Sequence, residues 1–241
     1  MMVLPAPGLP SISRGRRKQR AAFTNSTAFL SATNPKALGS IFPCLGGIFF
    51  GTLLALARLS GIKPLAMIAA GYVNLMRSIP LILVIFWFYF LVPVVLQSVM
   101  GYERPPQIGP DRSAYITFIM FEAAFFCEIM RAGIQSIPKG QVAAAQALGL
   151  NYRLTMAKIV LPQAFRNMLP VLLTQTIILF QDTSLVYVLS VTDFLGAASK
   201  IAQRDSALVE MYTFVALVYL AICFSLSMLV KALQRKTQII R

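Results

Sequence analysis

Six polar side chains lie inside, or at the ends of, long apolar stretches of this sequence, where polar groups are unusual. They are Glu122, Gln175, Gln181, Asp182, Thr183 and Ser184. Ionised groups in such surroundings are costly and usually face a cavity or a partner. We therefore interpret the six as candidates for lining a path that carries a polar solute. Glu122, in the middle of its stretch, is the stronger pathway candidate of the two acids; the alternative is a purely structural role.

Two of the acidic residues have a more specific structural alternative. Asp182 ends a charge-free run and begins the string Asp-Thr-Ser, so it lies near the path, breaks the helix, or forms a cap or salt bridge. Glu128 and Arg131 are three residues apart, a spacing at which the two side chains pair on one helix. Arg77 is the basic residue nearest to an apolar stretch, and we expect it to anchor a cytoplasmic edge.

The residues that most catalytic chemistry requires are absent from the sequence. There is no histidine, which excludes a Ser-His-Asp triad. The three cysteines, Cys44, Cys127 and Cys223, are far apart and form no CxxC pair, which argues against zinc or haem. No Gly-x4-Gly-Lys-Ser/Thr phosphate loop occurs, so we expect no ATP hydrolysis by this chain. The sequence predicts no catalytic residue, no metal site and no cofactor.

The composition is that of a membrane protein. Hydrophobic residues make up 57% of the 241 residues and charged residues 12%, against about 45–50% and about 25% in soluble domains. The net charge of +14 is also typical of nucleic-acid-binding proteins. Here, however, the basic residues alternate with apolar stretches and do not line one face, so we predict no nucleic-acid partner.

Five apolar stretches are long enough to cross a bilayer, which takes about 20 residues in a helix. They cover residues 37–57, 79–100, 113–130, 167–192 and 211–230. A helix satisfies its own backbone hydrogen bonds in lipid, so all five are expected to be helical. The predicted fold class is all-α, an integral membrane protein with five transmembrane helices. Pro80, Pro93 and Pro170 are expected to kink helices.

The charges between the stretches predict the orientation. Segments 58–77 and 131–166 and the C-terminal tail carry basic but no acidic residues, which places them in the cytoplasm and the N-terminus outside. The N-terminal tail, residues 1–36, is also basic and is expected to be poorly ordered. Its charge conflicts with an outside location. Either the first span is unusual, or residues 1–44 include some that the working protein lacks.

Segment 131–166 is too long for a simple turn between two spans. Pro138 suits the start of a helix and Gly149 suits its end, which predicts a helix over residues 141–148. A second short helix is expected to follow, up to Pro162 at the start of the next span. The segment is therefore predicted to form a cytoplasmic helix–Gly–helix.

The spacing in this segment resembles the EAA loop of binding-protein-dependent ABC importer permeases. It runs Ala144-Ala145, three residues, Gly149, nine residues, Ile159, one residue, Leu161-Pro162. One difference is that Ala143 stands where the motif has glutamate. Strings resembling the polar amino acid subfamily lie at residues 72–74, 77–81, 128–141, 147–149, 161–164 and 182–185. The strings at 87–89 and 180–190 resemble the permeases for glutamate and aspartate.

This resemblance, from about residue 51 to the C-terminus, implies a type I ABC importer permease fold with a cytoplasmic coupling helix. In that family the helix docks in a groove of the ATPase subunit; the positions concerned are Pro138, Gly140, Ala144, Ala145, Leu148 and Gly149.

The resemblance also implies the setting in which the chain works. The partners would be ABC ATPase subunits, a homologous permease or a second copy of this chain, and a periplasmic solute-binding protein. The implied location is the bacterial inner membrane. The implied cargo is glutamate and aspartate, with glutamine, arginine or histidine as alternatives. A stand-alone secondary transporter is disfavoured because no internal repeat is found.

Overall fold

The computed structural model describes residues 41–237, and every regular element in that range is helical. The α-helices are α1 Ile41–Leu59, α2 Lys63–Ser78, α3 Leu81–Phe86, α4 Val92–Met100, α5 Pro110–Gln135, α6 Lys139–Ala147, α7 Tyr152–Thr155, α8 Leu161–Asp182, α9 Phe194–Asp205 and α10 Leu208–Thr237. The expected basic tail, residues 1–36, and the start of the predicted first span lie outside the described residues.

Five helical stretches within residues 41–237 are long and apolar enough to cross a membrane. They are Phe42–Leu59, Leu81–Met100, Pro110–Gln135, Tyr152–Leu189 and Leu208–Arg235. The predicted all-α class and the number of spans are confirmed. The third and fifth helices extend beyond the apolar stretches that predicted them, because a helix continues into its polar ends without any change in backbone geometry.

The fourth span differs most from its prediction. The structure has one continuous helix from Tyr152 to Leu189 in place of a short helix followed by a separate span. A π-helical turn, Met156–Val160, makes this continuity possible. The N–H of Leu161 bonds to the carbonyl of Met156, five residues back, immediately before Pro162. We infer that the wider turn accommodates the proline ring, which would clash with the carbonyl four residues back in a regular helix.

The second span also contains a π-helical turn before a proline. The π-helical turn Trp87–Leu91 lies between α3 and α4, and the N–H of Val92 bonds to the carbonyl of Trp87, immediately before Pro93. Pro80, which was expected to kink a helix, instead flanks the start of α3. Pro170 lies inside α8, which continues through it.

Helix α2 was not predicted. It occupies residues assigned to a cytoplasmic connection, and it packs against α1 and α5 through Ala69 and Val73, which are buried. The hydroxyl of Tyr72 donates a hydrogen bond to the carbonyl of Met120, 2.7 Å away. The mean hydropathy of these residues did not predict α2, because Arg77 and other polar residues lower it. The spacing of Ala69 and Val73, four apart, is its helical signal.

Helix α5 lies at the centre of the bundle, with α1, α2, α3 and α8 packed around it. Its contact with α1 is close because glycines face it. A Cβ atom at Gly47 would come within 2.8 Å of the Cβ of Glu122, and one at Gly51 within 2.8 Å of the Cβ of Phe126. Glycines four residues apart allow two membrane helices to approach this closely.

Candidate functional site

The segment between the third and fourth spans folds into a short, well-terminated helix. Pro138 precedes α6, and the N–H of Leu150 bonds to the carbonyl of Ala145 at 3.1 Å to close its C-terminal end. This closure requires Gly149 to take the left-handed conformation, with φ of +81°. Non-glycine residues adopt that conformation at a cost. The predicted helix and its glycine stop are therefore both found.

Helix α6 is held firmly against the start of the fourth span. Ile137, Val160 and Ala164 form a buried apolar cluster, and Val142 of α6 packs against it. The amide of Gln163 donates to the side-chain oxygen of Gln141 at 2.6 Å. Side chains on both sides of the connection thus fix the position of α6 relative to two spans.

The outer face of α6 is exposed and carries mostly small residues, together with Lys139 and Gln146. Leu148 is 82% exposed at its C-terminal end. Of the six positions for which the family resemblance implies ATPase docking, five are exposed: Pro138, Gly140, Ala144, Leu148 and Gly149. Ala145 is 1% exposed and packs inward, so it supports the helix and does not belong to the outer face.

The six intramembrane polar candidates separate into two groups. Glu122 is fully buried on α5, and Gln175 of α8 is 8% exposed. The amide of Gln175 donates to both carboxyl oxygens of Glu122, at 3.1 and 3.3 Å. With Gly47 of α1 packed on its other side, Glu122 lies where three helices meet. In this structure the pair joins helices and does not line an open surface.

The other four candidates lie near the end of α8. Gln181 is exposed, while Asp182, Thr183 and Ser184 are half-buried. Asp182 is the last residue of α8, and a 3₁₀-helix, Thr183–Leu189, follows. The hydroxyl of Thr183 donates to the carbonyl of Phe180 at 2.7 Å. At Asp182 the helix changes from α to 3₁₀ geometry but continues without interruption, so of the expected roles a break in the helix is not found there.

An ionic cluster lies near the end of α5, and the sequence predicted only one of its ion pairs. Glu128 pairs with Arg131, as the spacing predicted. It also accepts a hydrogen bond from Arg58 of α1 at 2.6 Å and lies 3.9 Å from Arg77 of α2. The guanidinium of Arg77 lies 5.6 Å from the ring centre of Phe125. One carboxylate thus joins three helices, and Arg77 contacts protein groups; its role at a cytoplasmic edge stays a prediction.

Within the described residues, five apolar helices with a short exposed helix between the third and fourth define a multi-span membrane protein. Comparison with known families agrees with this class. Residues 47–239 match the family described as the inner membrane component of binding-protein-dependent transport systems. The chain belongs to this family, and it is a multi-pass inner-membrane permease.

Individual relatives extend this result. The chain is 54% identical over 191 residues to the glutamate/aspartate import permease GltK of Escherichia coli, covering 79% of this chain and 85% of that protein. It is 30% identical over 216 residues to the probable glutamine ABC transporter permease GlnM of Bacillus subtilis, covering 90% and 96%.

Solved structures share the fold. A crystal structure of an amino acid ABC transporter with histidines superposes with a TM-score of 0.80 at 24% identity, covering 90% of this chain and 97% of that one. An inward-facing structure of the methionine ABC transporter MetNI gives a TM-score of 0.63 at 17% identity, covering 88% and 93%. At these identities the likeness concerns the fold alone.

Proposed function

We propose that this chain is the permease subunit of an ATP-driven importer that carries glutamate and aspartate across the inner membrane. The observation that carries the proposal is the 54% identity to a glutamate/aspartate import permease. Relatives named for glutamine, cystine and arginine transport are 30–33% identical. Glutamine, arginine and histidine remain the alternative cargoes.

The energy for transport comes, in this proposal, from a separate ATPase subunit that binds the exposed face of α6. The exposed surface of small residues on α6 allows close approach of a protein, and Leu148, 82% exposed at its end, suits a protein partner better than water. The contacts of Gln163 and Val142 would pass the partner's motion to the fourth span as a rigid-body displacement.

The remaining partners and the orientation follow the same proposal. A homologous permease or a second copy of this chain completes the pathway, and a periplasmic binding protein delivers the amino acid. The basic connection that holds α6 and the basic C-terminal tail lie in the cytoplasm, as the positive-inside rule indicates. The first span then starts on the outer side.

Stimulated ATP hydrolysis tests this function. The purified complex of permease, ATPase and binding protein should hydrolyse ATP several-fold faster when the binding protein carries glutamate or aspartate. The permease alone should hydrolyse none. Stimulation by glutamine, arginine or histidine, but not by the acidic amino acids, would contradict the proposed cargo.

Docking of α6 is tested separately by cross-linking. A photoreactive label on Leu148→Cys should capture the ATPase, whereas the same label on Leu217→Cys, on an exposed apolar position of α10, should not. Equal capture from both positions, or none from Leu148→Cys, would remove α6 as the docking element.

A further inference from the structure

A polar stripe runs along one exposed face of α8. Asn167, Thr174 and Gln181 follow one another at intervals of seven residues, and all three are exposed. Seven residues are close to two helical turns, so the three side chains share one face of the helix. At a rise of about 1.5 Å per residue the stripe is about 21 Å long, a large part of a hydrocarbon core about 30 Å thick.

This face of α8 does not suit lipid. An amide in hydrocarbon is costly where no protein group replaces its hydrogen bonds to water. The amide of Asn167 donates to the hydroxyl of Ser136, and the hydroxyl of Thr174 donates to the carbonyl of Pro170, both at 2.9 Å. The exposed amide of Gln181 is therefore the strongest sign that this face meets water.

The exposed face of α10 provides the contrast, because residues 211–230 contain no amide side chain and no charge. Leu217 and Leu220 are typical of that face, at 59% and 62% exposed. Of these two spans, α10 has the surface expected of a lipid-facing helix, and α8 does not.

A proline adds a further polar group to the same region. Pro170 lies inside α8 and has no N–H, so the carbonyl of Arg166, four residues back, lacks its helical partner. Such freed backbone groups in membrane helices are satisfied by neighbouring helices, by side chains or by water. Arg166 is exposed and immediately precedes Asn167, at one end of the stripe. The freed carbonyl itself points along the helix towards Pro170, which is buried, so it lies beside the packed side of α8 and not on the stripe.

We infer that the stripe of Asn167, Thr174 and Gln181 lines the water-filled path of the amino acid. The inference rests on the proposed function and identifies the surface along which the transported amino acid would pass. The stripe offers neutral hydrogen-bonding groups and no fixed charge. Neutral groups can replace part of the hydration shell of a zwitterion without holding it tightly, as rapid passage requires. Val171 and Ile178, at 50% and 41% exposed, lie between the polar residues and keep each contact weak.

The same inference removes Glu122 from the path in the state seen here. Glu122 is fully buried, whereas Thr174, the neighbour of its partner Gln175, is exposed. Adjacent residues on a helix point about 100° apart. The buried pair and the polar stripe therefore occupy different faces of α8.

Cysteine accessibility in the assembled, working transporter tests the stripe. Asn167→Cys, Thr174→Cys and Gln181→Cys are made singly, with the three native cysteines replaced by alanine. Each is treated on both membrane faces with the water-soluble reagent methanethiosulfonate ethyltrimethylammonium. We expect reaction at least tenfold faster than at Leu217→Cys and Leu220→Cys, the lipid-facing controls. Thr174→Cys is close to the native side chain in size and keeps the test valid if a terminal variant fails to fold.

Protection from labelling by substrate tests the path and the proposed cargo separately. Glutamate, aspartate, glutamine, arginine and histidine are supplied in turn with binding protein and ATP. Slower labelling with any one of them supports the stripe as the path, and the amino acid that protects identifies the cargo. Labelling no faster than at the α10 controls, or labelling that none of the five slows, overturns the stripe as the path.

Discussion

Gln175 holds both carboxyl oxygens of Glu122 through a single amide, at 3.1 and 3.3 Å, across the buried contact between α8 and α5. Glu122 is fully buried and Gln175 nearly so. An interhelical hydrogen bond in a membrane contributes on average only about 0.6 kcal/mol. Leaving a buried polar group without its partner costs about 1–3 kcal/mol. Removing one partner of this pair should therefore destabilise the protein by more than the hydrogen bond itself stabilises it.

Removing the amide alone should destabilise the protein. Gln175→Leu leaves the Glu122 carboxyl without the hydrogen bonds that Gln175 donates to it, and thermal unfolding of the purified complex should occur at a clearly lower temperature. Glu122→Gln keeps a hydrogen-bonding group of the same size and should unfold near the wild-type temperature.

The double variant Glu122→Leu with Gln175→Leu serves as the control for packing. It removes both polar partners, so it should recover part of the stability that Gln175→Leu loses. A Gln175→Leu protein as stable as wild type, with no difference from the double variant, would show that the bond seen here contributes nothing.

The close contact between α1 and α5 makes a second prediction. A methyl group at Gly51 would lie 2.8 Å from the Cβ of Phe126 and 3.0 Å from the carbonyl oxygen of Ala123. Gly51→Ala therefore forces the helices apart, and overpacking of this kind costs about 1–3 kcal/mol. The thermal unfolding temperature of the complex should fall.

Gly71→Ala is the matched control, because a Cβ atom there meets nothing within 4 Å. Alanine is favoured over glycine in a helix by up to about 1 kcal/mol, so this variant should be unchanged or slightly more stable. If the two substitutions change the unfolding temperature by the same amount and in the same direction, Gly51 is no more tightly packed than Gly71.

The fold was predictable where the signal is local and apolar. All five spans follow from runs of apolar residues, and α6 follows from Pro138 and Gly149. Helix α2 was missed because its buried side, with Ala69 and Val73, is small and its other positions include charged residues. The continuity of the fourth span was missed because Pro162 normally marks a helix start, and the π-helical turn before it leaves no obvious pattern in the sequence.

The C-terminal end of α6 provides a third prediction. Gly149 has φ of +81° with open space around it, so the conformation and not the volume restricts this position. Gly149→Val should distort the end of α6, because the left-handed conformation costs most residues about 1–2 kcal/mol. We expect ATP-driven uptake to fall severalfold while the amount of permease in the membrane is unchanged.

Two variants isolate the conformational effect. Asparagine tolerates the left-handed conformation, so Gly149→Asn should retain most of the uptake. Gly71→Ala, at an open helical position outside α6 and without positive φ, should also be tolerated. If Gly149→Val transports normally, the backbone at this residue is not needed for coupling.

The ionic cluster around Glu128 supports a fourth prediction. Glu128→Gln removes the carboxylate that faces Arg58, Arg77 and Arg131, and leaves three like charges close together. The side chain of Glu128 is only 21% exposed. The decrease in the free energy of unfolding should therefore exceed the roughly 0–1 kcal/mol that is typical of surface ion pairs. Thermal unfolding should occur at a lower temperature.

Asp205→Asn is the comparison for an exposed pair, because Asp205 bonds to Arg204 where the two side chains are 38% and 62% exposed. It should change the unfolding temperature little. If Glu128→Gln is as mild as Asp205→Asn, the three arginines are not held together by this carboxylate.

The candidate sites were predictable to different degrees. The pairing of Glu128 with Arg131 follows from their spacing on one helix. The bond between Glu122 and Gln175 joins residues 53 positions apart, and no local pattern relates them. The inward orientation of Ala145 depends on which face of α6 meets the fourth span, and the sequence of α6 alone does not determine that face. Residue type revealed the six polar candidates, and only the packing of the helices separates the buried pair from the four at the end of α8. Asn167 and Thr174 of the stripe were not among the candidates.

Uptake of labelled glutamate tests the proposed function most directly. Proteoliposomes would contain this chain with its companion permease and ATPase, ATP on the ATPase side and the binding protein on the opposite side. Unlabelled glutamate, aspartate, glutamine, arginine and histidine would serve as competitors. We predict ATP-dependent uptake that excess glutamate or aspartate blocks and the other three do not. Uptake that glutamine, arginine or histidine blocks equally well, or accumulation that needs no ATP, would contradict the proposal.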